Sequence, residues 1–269
     1  MSAEILRQQI KDPSDRIIVA YDGLGWPEII ETANEVGQFT GYGKTNSAHV
    51  RSGADHAVSK LTEAGMLTML DSKFHDIPQT VGLSVREATL SGASLITVHA
   101  SGGLAMLKAA KEGRVKGLED QKDVFKRALS NNLGHILGIT VLTSLDSDDC
   151  SSIFGIDPTD EDGIKKKVVQ FANMALEAGI TGVVCSPLEA RAIRANANLD
   201  PLLVVTPGIT PSYAVTAGDQ KRTSSPVDAI NEGVDLIVVG RGIIKARDYG
   251  LNRVQAAQEI ALEIAEATR

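Results

Sequence analysis

The chain has 269 residues, 43% hydrophobic and 23% charged, enough apolar side chain for a large core; disorder, collagen and coiled coil are excluded. Its 27 basic against 34 acidic residues leave a formal charge of −7, the wrong sign for a protein built to bind a polyanion or an anionic membrane. One tryptophan, four tyrosines and five phenylalanines are too few rings for a base-stacking platform, so neither nucleic acid nor membrane is an expected partner.

In chain order, a short helical extension (about residues 1–14) precedes a β-rich run at 16–22. Pro27 fits the first turn of a helix, and a second run follows at 39–44. Gly65 closes a helix before the run at 67–73, and Gly92 does the same before 95–100. Residues 113–135 are expected to add a second helix, at 122–129, before the fifth run at 136–142. The acidic stretch 146–162, with Gly155 and Pro158, reads as a mobile surface loop. Gly179 precedes the run at 182–185, and a seventh run at 202–207 leads into a long loop over 209–224. Ser225, Pro226 and Asp228 have the N-cap and N1 pattern of another helix, Gly233 closes it, and the eighth run spans 236–240. The IALEIA tail reads as a barrel helix.

Runs such as IIVA, LITV, LLVV and LIVV do not alternate with polar residues, as expected of strands covered by helices on one side and filled on the other. Eight βα units without a Pro- or Ser-rich linker predict an α/β fold, a single (β/α)8 TIM barrel over residues 1–269 as one domain. A doubly wound open sheet would leave the eighth strand unaccounted for. Cys150 and Cys185 are too few and too far apart for a disulfide framework or a zinc site. The N-terminus lacks the apolar stretch of a signal peptide, and no apolar run approaches the roughly eighteen residues of a membrane span. A soluble, cytoplasmic protein is expected.

In such a barrel the reacting groups sit where strands end, and the ionisable residues closing these runs are Asp22, Lys44, Asp71, Lys73 and Asp76. The period of two puts Asp71 and Lys73 on one face of their strand, with Ser72 turned away. A lone Asp-x-Lys is usually a structural ion pair. Five alternating charges at a low-dielectric rim, however, cost several kcal/mol per ion unless all are paired, and a fold seldom needs that. The expectation is a buried ammonium at Lys73, fixed by acids, beside which negative charge develops in a reaction. At the end of the last strand, Gly240, Arg241 and Gly242 bring backbone N–H groups and a guanidinium together, as an anion site requires, and Gln220 could close over the same anion. His75 and His99 read as packed or orienting histidines. His49, His56 and His135 show no ligand spacing, so no metal is expected.

These residues resemble the orotidine 5′-phosphate decarboxylase family. The segment DSKFHDIPQT at 71–80 has the family's Asp-x-Lys-x-x-Asp core, and VHASGG at 98–103, VTPGI at 205–209, AGDQ at 217–220 and VVGR at 238–241 follow in the family's order. The resemblance implies a cofactor-free carboxy-lyase that converts orotidine 5′-monophosphate to uridine 5′-monophosphate in de novo pyrimidine synthesis. It implies that Lys73 protonates the C6 carbanion, that Asp71 sits against the departing carboxylate, and that Lys44 and Asp22 contact the ribose. Lys44 is assigned by its spacing of 22 from Asp22 and 27 from Asp71. Thr143 would read the pyrimidine edge and Pro207 line its pocket, while Gln220, Gly240 and Arg241 would hold the 5′-phosphate. Ile77 would contact the substrate, and catalytic Asp76 and substrate-binding Thr80 would reach the partner's site in a homodimer. This chain has Thr210 where many bacterial members have arginine, so anion affinity rests more heavily on Arg241. The alternatives are a magnesium-dependent sugar-phosphate decarboxylase or aldolase of the same superfamily, which places an acidic metal ligand where Lys44 stands, and a catalytically silent nucleotide-binding protein.

Overall fold

The computed structural model describes residues 2–121, 132–215 and 224–268. Eight parallel strands close into a barrel in sequence order, β1 to β8, with β8 paired to β1. They are β1 (Ile17–Ala20), β2 (Tyr42–Thr45), β3 (Leu67–Phe74), β4 (Leu95–His99), β5 (His135–Ile139), β6 (Gly182–Val184), β7 (Leu203–Thr206) and β8 (Leu236–Val239). The expected (β/α)8 barrel is therefore present, with each of the eight strands overlapping its expected run. Strand five ends earlier than expected, at Ile139, because the chain turns away before Leu142, and Thr143 lies in the following loop.

Helices cover the outside: α1 (Ser2–Gln9), α2 (Trp26–Val36), α3 (Ser47–Ser52), α4 (Ala54–Glu63), α5 (Pro78–Leu90) and α6 (Gly103–Glu119) in the first half. The second half carries α7 (Ser147–Phe154), α8 (Gly163–Ala178), α9 (Pro187–Arg194), α10 (Pro226–Asn231), α11 (Arg241–Ile244) and α12 (Arg253–Ala267). Pro27 lies in the first turn of α2, and Ser225 caps α10 by accepting the Asp228 N–H. The four glycines expected to end helices all have positive φ, between 71° at Gly179 and 94° at Gly92, a conformation open to glycine without strain. The helix expected at 122–129 lies outside the described residues.

The stretch 146–162 differs from expectation. Ser147–Phe154 is a helix, not a loop: Asp146 accepts the Asp149 N–H in a capping box, and Gly155 ends it in the left-handed region. The Asp-x-x-Asp spacing that reads as a solvated acidic run is the N-terminal signal of this helix.

Alternating strand residues fill the barrel. Ile18, Tyr42, Met69, Leu95, Leu137, Leu203, Val205, Leu236 and Val238 form one buried cluster, and Ala3 and Leu6 of α1 complete it. The other strand face packs with the helices in a second, larger cluster that includes Ile29, Leu61, Val85, Leu107, Phe171 and Ile260. Burying a Leu or Ile side chain contributes about 1.5–3 kcal/mol, so these two layers supply most of the favourable folding energy.

At the N-terminal end of the strands a polar clamp holds α1 in place. Arg7 donates to Asp235 Oδ1 at 2.9 Å and to the Asp200 and Leu202 carbonyls, while Arg194 donates to Asp235 Oδ2 at 2.7 Å. The Val204 N–H completes the Asp235 carboxylate at 2.8 Å. Asp235→Ala is expected to lower the unfolding free energy by about 3 kcal/mol, the low end for breaking a buried pair, because it removes the carboxylate that two partly buried guanidinium groups share while each keeps backbone carbonyls. Arg7→Ala should cost less, since Asp235 keeps Arg194. Urea unfolding of both variants beside the parent checks the order, and a reversed order would show that the carboxylate is not the centre of the clamp.

Candidate active site

The charged residues at the strand ends are brought together by neighbouring strands. In the parallel register Ala20 of β1, Lys44 of β2 and Met69 of β3 lie side by side, so Lys44 stands between the ends of the strands that carry Asp22 and Asp71. Its ammonium donates to both Asp22 oxygens at 2.8 Å and to Asp71 Oδ2 at 3.0 Å. The Lys73 ammonium donates to the same Asp71 oxygen at 2.5 Å. The result is the row Asp22, Lys44, Asp71, Lys73, four of the five expected charges in alternating sign. Asp76 is not in it: the carboxylate is exposed and accepts the Ile77 N–H at 2.6 Å.

Burial is distributed differently from the expectation. The Lys44 and Asp71 side chains are each 8% exposed, whereas Lys73 is 35% exposed and reaches into a cavity. The deeply buried ammonium is therefore Lys44, whose three N–H groups are all taken by carboxylates, and Lys73 is the one with donors to spare. Burial raises the Asp71 carboxyl, but Lys44 and then Lys73 outweigh it and hold the group below its ordinary range. Burial likewise lowers Lys44, but Asp71 and Asp22 outweigh it and hold the ammonium above the usual lysine range. Both stay charged at neutral pH.

The strand around Lys73 is irregular. Leu70 pairs with Ile96 and Phe74 with Val98, so β3 carries two more residues than β4 between these partners. Within this bulge Lys73 has φ 49°, the only positive φ on a non-glycine residue among those described. The left-handed region costs a side-chain-bearing residue about 1–2 kcal/mol, and here it aims the ammonium back at Asp71. Asp71 and Lys73 do meet and Ser72 does turn away, as the period of two suggests, but the backbone that achieves it is not a regular strand. Thr97 of β4, fully buried, accepts the Lys73 N–H at 2.9 Å and donates to Asp71 Oδ1 at 3.0 Å. Asn46 donates to the Asp71 carbonyl at 2.9 Å. Ser72 meets His49, which also bonds Thr45, each at 3.1 Å; burial holds that imidazole below its ordinary range. Thr97, Asn46 and His49 were missed by sequence reasoning. The available signal for Thr97 was a hydroxyl in mid-strand, on the inward side with Leu95 and His99.

A cavity of about 530 Å³ rises from this charged floor, a size that suits one small ligand. Asp22, Lys44, Asp71, Lys73, Thr143, Pro207, Gly240 and Arg241 all line it, so eight sequence-predicted residues from six strand ends share one space. Ile139, Val141, Val184 and Val238 add an apolar wall. Lys245 and Tyr249, not foreseen from the sequence, line it beside Arg241; Lys245 follows Arg241 by one helical turn, and together they bring two cations to one wall. Asp76, Ile77 and Thr80 do not line the cavity: the segment 75–80 is exposed, with Ile77 at 64%. Gln220 lies outside the described residues. The Thr210 N–H donates to the Ser224 carbonyl at 3.0 Å. His75 and His99 face each other with ring centroids 5.5 Å apart, and burial holds His99 below its ordinary range.

Chemically, the site offers a fixed row of alternating charges with one ammonium free to donate at one end, an apolar wall in the middle, and cations with glycine backbone at the other. Residues 15–260 match the family described as orotidine 5′-phosphate decarboxylase / HUMPS. The chain is 39% identical over 236 residues to orotidine 5′-phosphate decarboxylase of Synechococcus sp. (strain WH7803), covering 88% of this chain and 91% of that protein. It is 35% identical over 261 residues to the protein of the same name from Moorella thermoacetica, covering 97% and 95%. Among solved structures, orotidine 5′-phosphate decarboxylase from Lactobacillus acidophilus superposes with a TM-score of 0.72 at 30% identity, covering 92% of this chain and 98% of that one.

The lowered Asp71 value makes its stabilising contribution present above the unfolded value of 3.8 and lost as pH falls through the folded one. The raised Lys44 value makes its contribution present below 10.5 and lost as pH rises through the folded value. Lys44→Met is expected to cost about 3 kcal/mol, the low end for breaking a buried pair, since Asp71 keeps Lys73. That difference from the parent should be constant from about pH 5 to about pH 9 and shrink on either side. Urea unfolding across this range measures it, and a difference that varies near neutrality would contradict the assignment of charges.

Proposed function

Because the chain belongs to the orotidine 5′-phosphate decarboxylase / HUMPS family, we propose that it converts orotidine 5′-monophosphate to uridine 5′-monophosphate and carbon dioxide, without a cofactor, in de novo pyrimidine synthesis. The observation that carries this reading is that Lys73, bonded to Asp71, and Arg241 line one cavity of about 530 Å³. The relatives bearing the decarboxylase name support it over the sugar-phosphate alternative. So does Lys44, whose ammonium fills the space between Asp22 and Asp71 where a metal would need an acidic ligand.

The substrate's 5′-phosphate is held by Gly240 and Arg241, with Gln220 closing over it, and the ribose meets Asp22 and Lys44. Thr143 reads the pyrimidine edge and Pro207 packs on the ring. This places the C6 carboxylate against Asp71. Two anions in contact raise the ground state, and Asp71 cannot withdraw, because Lys44, Lys73 and Thr97 hold both its oxygens. The bond from C6 to the carboxylate breaks, carbon dioxide leaves, and the electron pair remains on C6. The adjacent Lys73 ammonium stabilises that charge as it develops and then transfers a proton to C6; water returns a proton to the amine. A misplacement of the ammonium that loses about 4 kcal/mol of this stabilisation slows the step about a thousandfold.

The protein acts as a cytoplasmic homodimer of one-domain barrels, each with an N-terminal helical extension. Exposed Asp76 and Thr80, which stand outside their own cavity, supply the partner's site, and exposed Ile77 lies between them. Both cysteines are free and buried, which fits a reducing compartment.

Purified protein is expected to release carbon dioxide from orotidine 5′-monophosphate equally with and without EDTA. Lys73→Ala should lower kcat by about a thousandfold or more and keep uridine 5′-monophosphate binding measurable, whereas Arg241→Ala should raise KM by about 10- to 100-fold with a smaller change in kcat. Nucleotide binding without turnover in the parent would sink the reading. Mixing the inactive variants Lys73→Ala and Asp76→Asn should restore about a quarter of the parent activity, because half the dimers become hybrids and each hybrid holds one intact site. No recovery after subunit exchange would rule out a shared site.

A further inference from the structure

The catalytic reading above needs the Lys73 ammonium fixed in place, yet nothing intrinsic to lysine favours the backbone it adopts. Lys73 sits at φ 49° in the β3 bulge, where two residues of this strand lack counterparts on β4. Left-handed backbone on a long side chain persists only where surrounding contacts over-determine it.

Those contacts converge on one hydroxyl. Thr97 is the third residue of β4, in register with Leu137 of β5, fully buried and absent from the cavity wall. It accepts the Lys73 N–H at 2.9 Å and donates to Asp71 Oδ1 at 3.0 Å, while the Lys73 ammonium donates to Asp71 Oδ2 at 2.5 Å. Backbone and side chain of Lys73 are thereby joined in a closed ring through Thr97 and Asp71. Packing alone does not call for a hydroxyl here, since valine has the same shape; of the buried strand threonines Thr45, Thr68, Thr97 and Thr206, it is Thr97 whose hydroxyl bonds both Lys73 and Asp71. The hydroxyl's side-chain bonds both go to the bulge.

Resting on the reading of Lys73 as proton donor, we infer that Thr97 is a positioning residue for the proton transfer: its hydroxyl closes a ring that fixes the Lys73 ammonium against Asp71 without touching substrate. Asp71 alone would hold the ammonium by one bond at the end of a flexible stem. The ring removes the backbone freedom beneath that stem and orients the carboxylate at the same time.

The test compares Thr97→Val, which keeps the shape and removes the hydroxyl, with Thr97→Ser, which keeps the hydroxyl. Thr97→Ala is a second hydroxyl-free variant should the valine protein fail to fold. Amide hydrogen exchange at Lys73, read by NMR, is expected to quicken at least about tenfold in the hydroxyl-free variants. Their kcat for orotidine 5′-monophosphate should fall about thirtyfold or more, with KM and uridine 5′-monophosphate affinity within about threefold of the parent; serine should restore exchange and kcat. Unchanged exchange at Lys73 overturns the ring. Faster exchange with unchanged kcat, or a serine variant as impaired as valine, overturns the positioning role. A parent that releases no carbon dioxide overturns the decarboxylation reading and the proton-transfer role with it, while the exchange data still decide whether the ring exists.

Discussion

The carboxylate of Asp71 is the group on which the site depends. A buried anion is stable only when its oxygens are occupied, and Asp71 has Lys44 and Lys73 on one oxygen and Thr97 on the other. Satisfying this one group fixes three side chains at once. Lys44 gives its remaining N–H groups to Asp22. Lys73 spends one N–H on Asp71 and has two others uncommitted among the described residues, on a side chain open to the cavity. Of the two ammonium groups, then, Lys44 ties two carboxylates together beside the proposed ribose site, while Lys73 keeps N–H groups to spare, and the difference lies in how many carboxylates each meets.

The closed sheet explains how such a row can form. Asp22, Lys44, Asp71 and Thr97 come from β1, β2, β3 and β4 in turn, so the polar row follows the circumference of the barrel through half its strands. The other half, β5 to β8, contributes Ile139, Val184, Pro207 and Val238, an apolar wall that ends in Gly240 and Arg241. A ligand lying across the mouth meets fixed charge on one side and an apolar surface on the other, with cations at its far end. Low dielectric on the apolar side strengthens the field of the charged side, which is why the division matters chemically.

Much of this was legible in the sequence because barrels repeat. The glycines ending four helices, the non-alternating strands and the ionisable residues closing them are local signals, and each names an element or a strand end without reference to the rest of the chain. Lys44 is found by its spacing of 22 from Asp22 and 27 from Asp71. The bulge in β3 was not legible, since lysine carries no preference for positive φ; only the missing partners on β4 reveal it. Thr97 was hidden for the same reason, being 26 residues from Asp71 and meaningful only once that bulge exists. The helix Ser147–Phe154 was obscured by composition: its capping carboxylates and the acids beside them look like a solvated run until Asp146 is seen bonding the Asp149 N–H. Apparent membership of Asp76 in the charge row followed from its nearness in sequence, which the turn after Phe74 undoes.

The two ends of the barrel solve the same electrostatic problem with different cations. At the N-terminal end Asp235 lies between Arg7 and Arg194; at the C-terminal end Asp71 lies between Lys44 and Lys73. Both carboxylates also take a neutral donor, the Val204 N–H in one case and the Thr97 hydroxyl in the other. Guanidinium groups suit the first task. Their planar forks reach Asp235 and backbone carbonyls together, they stay protonated, and they lock α1 to the barrel across more than two hundred residues of chain. That permanence would be a defect at the other end. An ammonium is compact and, unlike a guanidinium, can part with a proton, so a lysine can neutralise Asp71 and also serve as the proton donor proposed above. The choice of Arg below and Lys above therefore separates a clamp of permanently charged groups from a cluster whose cations can exchange a proton.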